Sequence, residues 1–162
     1  MVELKTKNDY AQVIETFGNL VYRLCFVYLK NKQDADDAYQ DVFVKLIEKK
    51  PVIKDDSHLK AWLITVTTNH CKNILRFQKF HRSEEIDYDC FPASKTKDDQ
   101  IITLVMDLPL KYRNVLFLYY YEGYSTKEIA TLLKSNEATI RTHLKRGKET
   151  LRKLIELEEV YA

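Results

Sequence analysis

The residues of this sequence with the most chemistry to offer are its bases, because they are not spread evenly. Residues 134–153 hold Lys134, Arg141, Lys145, Arg146, Lys148, Arg152 and Lys153 against only Glu137 and Glu149. Residues 60–82 hold Lys60, Lys72, Arg76, Lys79 and Arg82 and no acid, with Phe77 and Phe80 set among them and His70 and His81 in addition. Clustered cations neutralise phosphates, and rings beside cations give unpaired nucleobases a surface to stack on. A third cluster has the opposite sign: Asp34, Asp36, Asp37, Asp41 and Glu48, with Gln40 among them. Such an edge either docks a basic partner or is simply solvated. The whole chain carries a formal net charge of only +2, so the partition of charge says more than its total.

Nothing comparable points to catalysis. Gly18, Gly123 and Gly147 are isolated, so no phosphate-cradling loop can form. Gly123-Tyr124-Ser125 lacks the second glycine of a nucleophile elbow. His58, His70, His81 and His143 do not pair with cysteines or acids at zinc spacing. The expectation is no enzyme, no catalytic residue, no metal and no cofactor. Cys25, Cys71 and Cys90 are an odd number without metal-like spacing, which suits a reducing compartment. The stretch MVELKTKNDY has no apolar signal core, and the longest apolar run, Val115 to Tyr121, is far below the ~20 residues that span a bilayer. A cytoplasmic protein with no membrane segment is expected.

The elements that must carry these clusters are helices. Gly and Pro number 3 each, too few for the turns of a β-fold. Tyr10, Val13, Ile14, Phe17, Leu20, Val21, Leu24 and Tyr28 repeat at helical spacing over 10–30. Ala35, Ala38, Tyr39, Val42, Phe43, Leu46 and Ile47 do so over 34–48, and Pro51 ends that helix before a loop at 51–58. A third helix spans 59–80, with Leu59, Trp62, Leu63, Val66 and Ile74 expected inward. Residues 83–100 then lose the period, carry Pro92, and set six acids against Lys95 and Lys97. This reads as a flexible acidic linker between an N-terminal domain, 1–82, and a C-terminal one, 101–162.

Beyond the linker, a short helix covers 101–107, and a second opens at Pro109 and runs through Tyr121. Ser125 and Glu128 form a capping box ahead of Ile129, Ala130 and Leu133. Lys134-Ser135-Asn136 is a tight turn, and a long helix follows from Glu137 with Ile140, Leu144, Gly147, Leu151, Leu154 and Ile155 inward. Capped short helix, turn and second helix have the pattern of a helix-turn-helix. Ala138, Arg141, Thr142 and Lys145 project away from the apolar stripe, flanked by Thr139 and Arg146. The plain alternative is an amphipathic helix with a solvated basic face. The fold class is all-α: two small helical domains, the second with a helix-turn-helix.

Three blocks carry a family resemblance. Asp34-Ala35-Asp36-Asp37-Ala38-Tyr39-Gln40-Asp41-Val42-Phe43 is one. Lys60-Ala61-Trp62-Leu63 through Asn69, with Asn73 and Arg76, is the second. The third is Leu108-Pro109, Arg113, Glu122-Gly123-Tyr124-Ser125, Glu128-Ile129-Ala130 and Ala138 to Leu144. In this order they resemble the extracytoplasmic-function (ECF) group of bacterial RNA polymerase sigma factors. The resemblance implies a protein that binds core RNA polymerase and directs promoter recognition and melting. It implies that Asp37, Gln40 and Asp41 dock on the polymerase. Asn69, Lys72, Asn73 and Arg76, with the loop 51–58, would meet the −10 element of promoter DNA. Thr139, Arg141, Thr142, His143, Lys145 and Arg146 would meet the −35 element. It also implies an anti-sigma factor as a partner. His143 stands where the family usually has Arg. A stand-alone helix-turn-helix regulator is the alternative, but it leaves the acidic helix and the basic aromatic helix without a task.

Overall fold

The computed structural model describes residues 2–81 and 97–161. Seven helices are among them: α1 (Lys7–Leu29), α2 (Lys32–Lys49), α3 (Asp56–His81), α4 (Lys97–Met106), α5 (Leu110–Leu116), α6 (Thr126–Leu132) and α7 (Glu137–Tyr161). The chain divides into two compact units, Met1–Asp87 and Tyr88–Ala162. Residues 83–96 of the expected linker, and Cys90, lie outside the described residues. The last four linker positions, 97–100, belong to α4, whose start the acidic composition concealed.

In the first unit each helix has a chemical start and stop. Thr6 and Asp9 make a capping box for α1, the Asp9 N–H donating to Thr6 Oγ1 at 3.2 Å. Lys30 then turns left-handed (φ 61°), and Asn31 at once caps α2 by accepting from the Asp34 N–H at 2.8 Å. Lys50 ends α2 in the same left-handed way (φ 43°), and Pro51 prevents any continuation. An antiparallel bridge, Val2 N–H to Ile53 O at 3.0 Å, ties the N-terminal stretch to the loop before α3.

The three helices close on one core. Val21 and Leu24 of α1, Ala35, Ala38, Val42 and Leu46 of α2, and Leu59, Leu63 and Ile64 of α3 are buried in it. Burying a leucine-sized side chain contributes about 1.5–3 kcal/mol. The inward stripe of α3 differs from the expected one. Leu59 and Leu63 are buried, but Trp62, Val66 and Ile74 are half-buried, while Ile64, Thr67, Thr68 and Cys71 are buried. Thr67 is admitted because its hydroxyl donates to the Leu63 carbonyl at 2.6 Å. Cys25 and Cys71 are free and buried. A hydrogen bond to Cys71, then burial, pushes the Cys25 thiol up, which makes it a poor nucleophile.

In the second unit Arg113 is buried and donates to the Leu108 carbonyl at 2.8 Å. The Leu-Pro…Arg motif therefore braces the turn between α4 and α5. The helix expected through Tyr121 is α only to Leu116; Phe117–Tyr121 widens into a π turn. Ser125 and Glu128 do form the capping box of α6. Lys134 is left-handed (φ 53°), and the Asn136 side chain accepts from the Thr139 N–H at 2.7 Å as α7 begins.

Helix α7 crosses α5 at Gly147. A Cβ there would lie 3.1 Å from Tyr112 Cβ and 3.2 Å from Leu116 Cδ1. Tyr112 Cβ is fixed by its own backbone and cannot swing aside. Gly147→Val should therefore destabilise the second unit by about 1–3 kcal/mol, read as an earlier thermal melt by circular dichroism. An unchanged melting temperature would mean that α5 and α7 are not pressed together.

Candidate nucleic-acid interface

On α2 the buried and exposed faces divide sharply. Ala35, Ala38, Val42 and Leu46 are enclosed, and Asp37, Gln40 and Asp41 are exposed on the opposite edge. Asp41 meets the neighbouring helix: His70 Nε2 of α3 lies 2.9 Å from its Oδ2.

Helix α3 exposes Asn69, Asn73 and Arg76 at steps of four and three, while Lys72 is half-buried. Arg76 Nη1 donates to Asn73 Oδ1 at 3.4 Å, so two of these groups already lean together. Phe77 and Phe80 continue the face at 66% and 81% exposure. Large rings left this open beside bases offer surfaces on which unpaired nucleobases can stack. Three of the four −10 candidates and both rings thus follow one flank of one helix, with only Lys72 drawn inward.

The helix-turn-helix is α6, the turn through Asn136, and α7. Glu137 joins its parts: Thr126 Oγ1 donates to Glu137 Oε1 at 3.1 Å, and Arg141 Nη1 lies 3.3 Å from the same oxygen. Arg141, Thr142, Lys145 and Arg146 are exposed; Thr139 and His143 are half-buried. Thr142 spends its hydroxyl proton on the Ala138 carbonyl at 3.0 Å and keeps its lone pairs outward. Arg141, Lys145, Lys148 and Arg152 line a shallow groove along α7 together with Leu144 and Glu149.

Two features escaped the sequence. Lys148 reads as a free cation, but its ammonium sits 5.7 Å from the Tyr119 ring centre and 5.3 Å from that of Tyr120. A hydrogen bond to Tyr120 holds it more firmly protonated. The tyrosines come from the π turn, and the only sequence signal was a run taken as apolar. His143 is the second: its ring packs edge-on against Tyr112 at 5.7 Å. Among the described residues no three of His, Cys, Asp and Glu gather as a metal site would need.

Comparison with known proteins decides what these surfaces belong to. Residues 13–81 match Sigma-70 region 2, and residues 98–151 match Sigma-70, region 4. The two regions together cover most of the chain, and it belongs to the Sigma-70 family of sigma factors. Its relatives include the RNA polymerase sigma factor SigV of Bacillus subtilis, 28% identical over 139 residues that cover 81% of either chain. The ECF RNA polymerase sigma factor SigW of the same organism is 25% identical over 166 residues, 91% of this chain and 89% of that one. Among solved structures, the sigma factor RpoE in complex with the anti-sigma factor NepR from Bartonella quintana shares the fold. Its TM-score is 0.73 at 20% identity, over 91% of this chain and 97% of that one. CnrH in complex with the cytosolic domain of CnrY gives a TM-score of 0.67 at 18% identity, over 94% and 90%.

A sigma factor serves transcription initiation, and the region 2 match sets aside the stand-alone regulator. In this sigma factor region 2 takes in most of α1, then α2 and α3, and region 4 takes in α4 to the middle of α7. No helix among the described residues is long and apolar enough to cross a membrane.

The environment of His143 makes the second unit sensitive to acid. Burial first, then the charges of Lys111 and Arg146, lowers its pKa from the ordinary 6.5. The unfolded chain takes up a proton at the ordinary value, whereas the folded chain resists it. Stability is therefore unaffected above pH 6.5 and is lost as pH falls below it. Between about pH 7.5 and about pH 5, His143→Gln should lose less melting temperature than the wild type. Parallel losses in both would show that the ring is not held neutral.

Proposed function

We propose that the acidic edge of α2, with Asp37, Gln40 and Asp41, docks this sigma factor on core RNA polymerase, while α3 and α7 meet the two promoter elements. Asn69, Lys72, Asn73 and Arg76 contact the −10 element, and Phe77 and Phe80 take up bases freed when it melts. Thr139, Arg141, Thr142, Lys145 and Arg146 contact the −35 element from the start of α7. His143 contributes there as a neutral imidazole. The observation that carries this reading is the exposed, acid-free flank of α3, with two open phenylalanines among amides and a guanidinium, in a chain of this family. The chain has no catalysis, metal or cofactor of its own; bond formation belongs to the polymerase.

Further roles follow the same reading. Residues 1–82 act on polymerase and the −10 element, and residues 101–162 act on the −35 element. The protein works in the cytoplasm, where polymerase and promoter meet. An anti-sigma factor holds it inactive, a reading supported by the complex of the similarly folded sigma factor RpoE with the anti-sigma factor NepR.

Transcription in vitro with core polymerase tests this directly. Asp37→Lys with Asp41→Lys should abolish polymerase binding and transcription while the protein remains folded by circular dichroism. Both side chains are exposed, so the core is untouched. Full polymerase binding by the folded double variant would overturn the docking assignment.

Promoter reading is tested separately by binding to matched and mismatched −35 sites. Arg141 lies one turn into α7, where base edges are met, and Lys148 two turns further on. Arg141→Ala should lose about 1–3 kcal/mol of discrimination at one base pair. Lys148→Ala should weaken all sequences alike and reduce the salt slope by roughly one unit. Undiminished discrimination by Arg141→Ala would mean that α7 enters the groove on another face.

A further inference from the structure

The interior edge between α2 and α3 contains a polar cluster that the docking surface does not by itself require. His70 is mostly enclosed, with 16% of its side chain exposed. Its Nε2 lies 2.9 Å from Asp41 Oδ2, and its Nδ1 lies 3.1 Å from Lys45 Nζ. A lysine ammonium has protons to give and no lone pair to offer. Nδ1 must therefore be the acceptor and carry no proton. The ring proton is then on Nε2, which donates it to Asp41. Lys45 in this way selects the tautomer, and the tautomer makes His70 a donor to a carboxylate that is itself 55% exposed.

The pairing recurs two turns away. Gln78 Nε2 of α3 donates to Asp34 Oδ2 of α2 at 2.7 Å. Asp34 and Asp41 lie on one edge of α2, and their partners run back along α3 in the opposite direction. Asp37, between them, is exposed. Asp41 is thus both a surface anion and a side chain whose position is set from beneath.

We infer that His70 is a positioning residue for polymerase docking, acting through Asp41. Resting on the docking assignment proposed above, it goes further, naming the group that holds the carboxylate. An exposed aspartate must be immobilised when a partner binds, and that ordering lowers affinity. His70 fixes one carboxylate oxygen in advance and leaves the other for the partner's cation. Losing that arrangement should weaken binding roughly two- to tenfold.

The test measures affinity of the full chain for core polymerase in four variants: Asp41→Ala, His70→Leu, His70→Gln and the Asp41→Ala/His70→Leu pair. Glutamine supplies one donor and one acceptor, as the neutral imidazole does; leucine supplies neither. Asp41→Ala and His70→Leu should each weaken binding, His70→Gln should restore it, and His70→Leu should add nothing to Asp41→Ala. Should His70→Leu fail to fold, His70→Asn replaces it, being polar but too short to reach Asp41. Long-range proton–nitrogen spectra of the wild type, with His70 assigned from the glutamine variant, should show the Nε2–H tautomer. Full-strength binding by the leucine or asparagine variant beside a weakened Asp41→Ala would overturn the inference and leave the docking site standing. Full-strength binding by Asp41→Ala would overturn both. A glutamine variant as weak as the leucine one, or an Nδ1–H tautomer, would also overturn it.

Discussion

The contact on which the first unit depends is the alanine face of α2. Ala35 and Ala38 are fully buried, with side chains so small that α1 and α3 can close over the helix from both flanks. Val42 and Leu46 extend the same buried face. Everything polar on α2 is thereby forced to the remaining edge, where Asp37, Gln40 and Asp41 appear. An interaction surface is obtained here as the complement of a packing surface. Larger residues at 35 or 38 would disturb the packing of α2 and with it the placing of Asn69, Asn73 and Arg76, so the surfaces proposed for polymerase docking and promoter reading share one mechanical origin.

The second unit solves a related problem with different means. Its recognition helix is set at one point by the missing side chain of Gly147 against α5 and at another by Glu137. Glu137 accepts from Thr126 on α6 and attracts Arg141 on its own helix. One carboxylate thus fixes the angle between the two helices of the motif and restrains a guanidinium proposed to read a base. Rigid presentation matters here because a base contact tolerates little misplacement.

Much of this was legible in the sequence because it is local. Helical spacing located α1 and α2, Pro51 marked a stop, and Ser125 with Glu128 marked a start. The misread inward stripe of α3 has a physical reason. Thr67 counts as polar by type, yet a hydroxyl that donates to its own helix is apolar to its neighbours. Trp62, also expected inside, is half-buried while Ile64 is enclosed. The contacts of His70 with Asp41, Gln78 with Asp34 and Lys148 with Tyr119 and Tyr120 were not legible at all. They join residues with no periodic relation, and only the crossing of helices brings them together.

The three left-handed lysines have a different bearing. Lys30, Lys50 and Lys134 each sit at a helix end in a conformation that glycine adopts freely and a side chain resists. In return each puts a basic residue at the negative end of a helix. The exchange is not favourable for stability alone, since a Cβ in that region costs about 1–2 kcal/mol and an exposed cation at the dipole returns less. Three such sites amount to stability left unclaimed by a protein with almost no glycine. At these positions the backbone, and not the core, limits what each helix end contributes, so glycine there would release strain without touching either buried face.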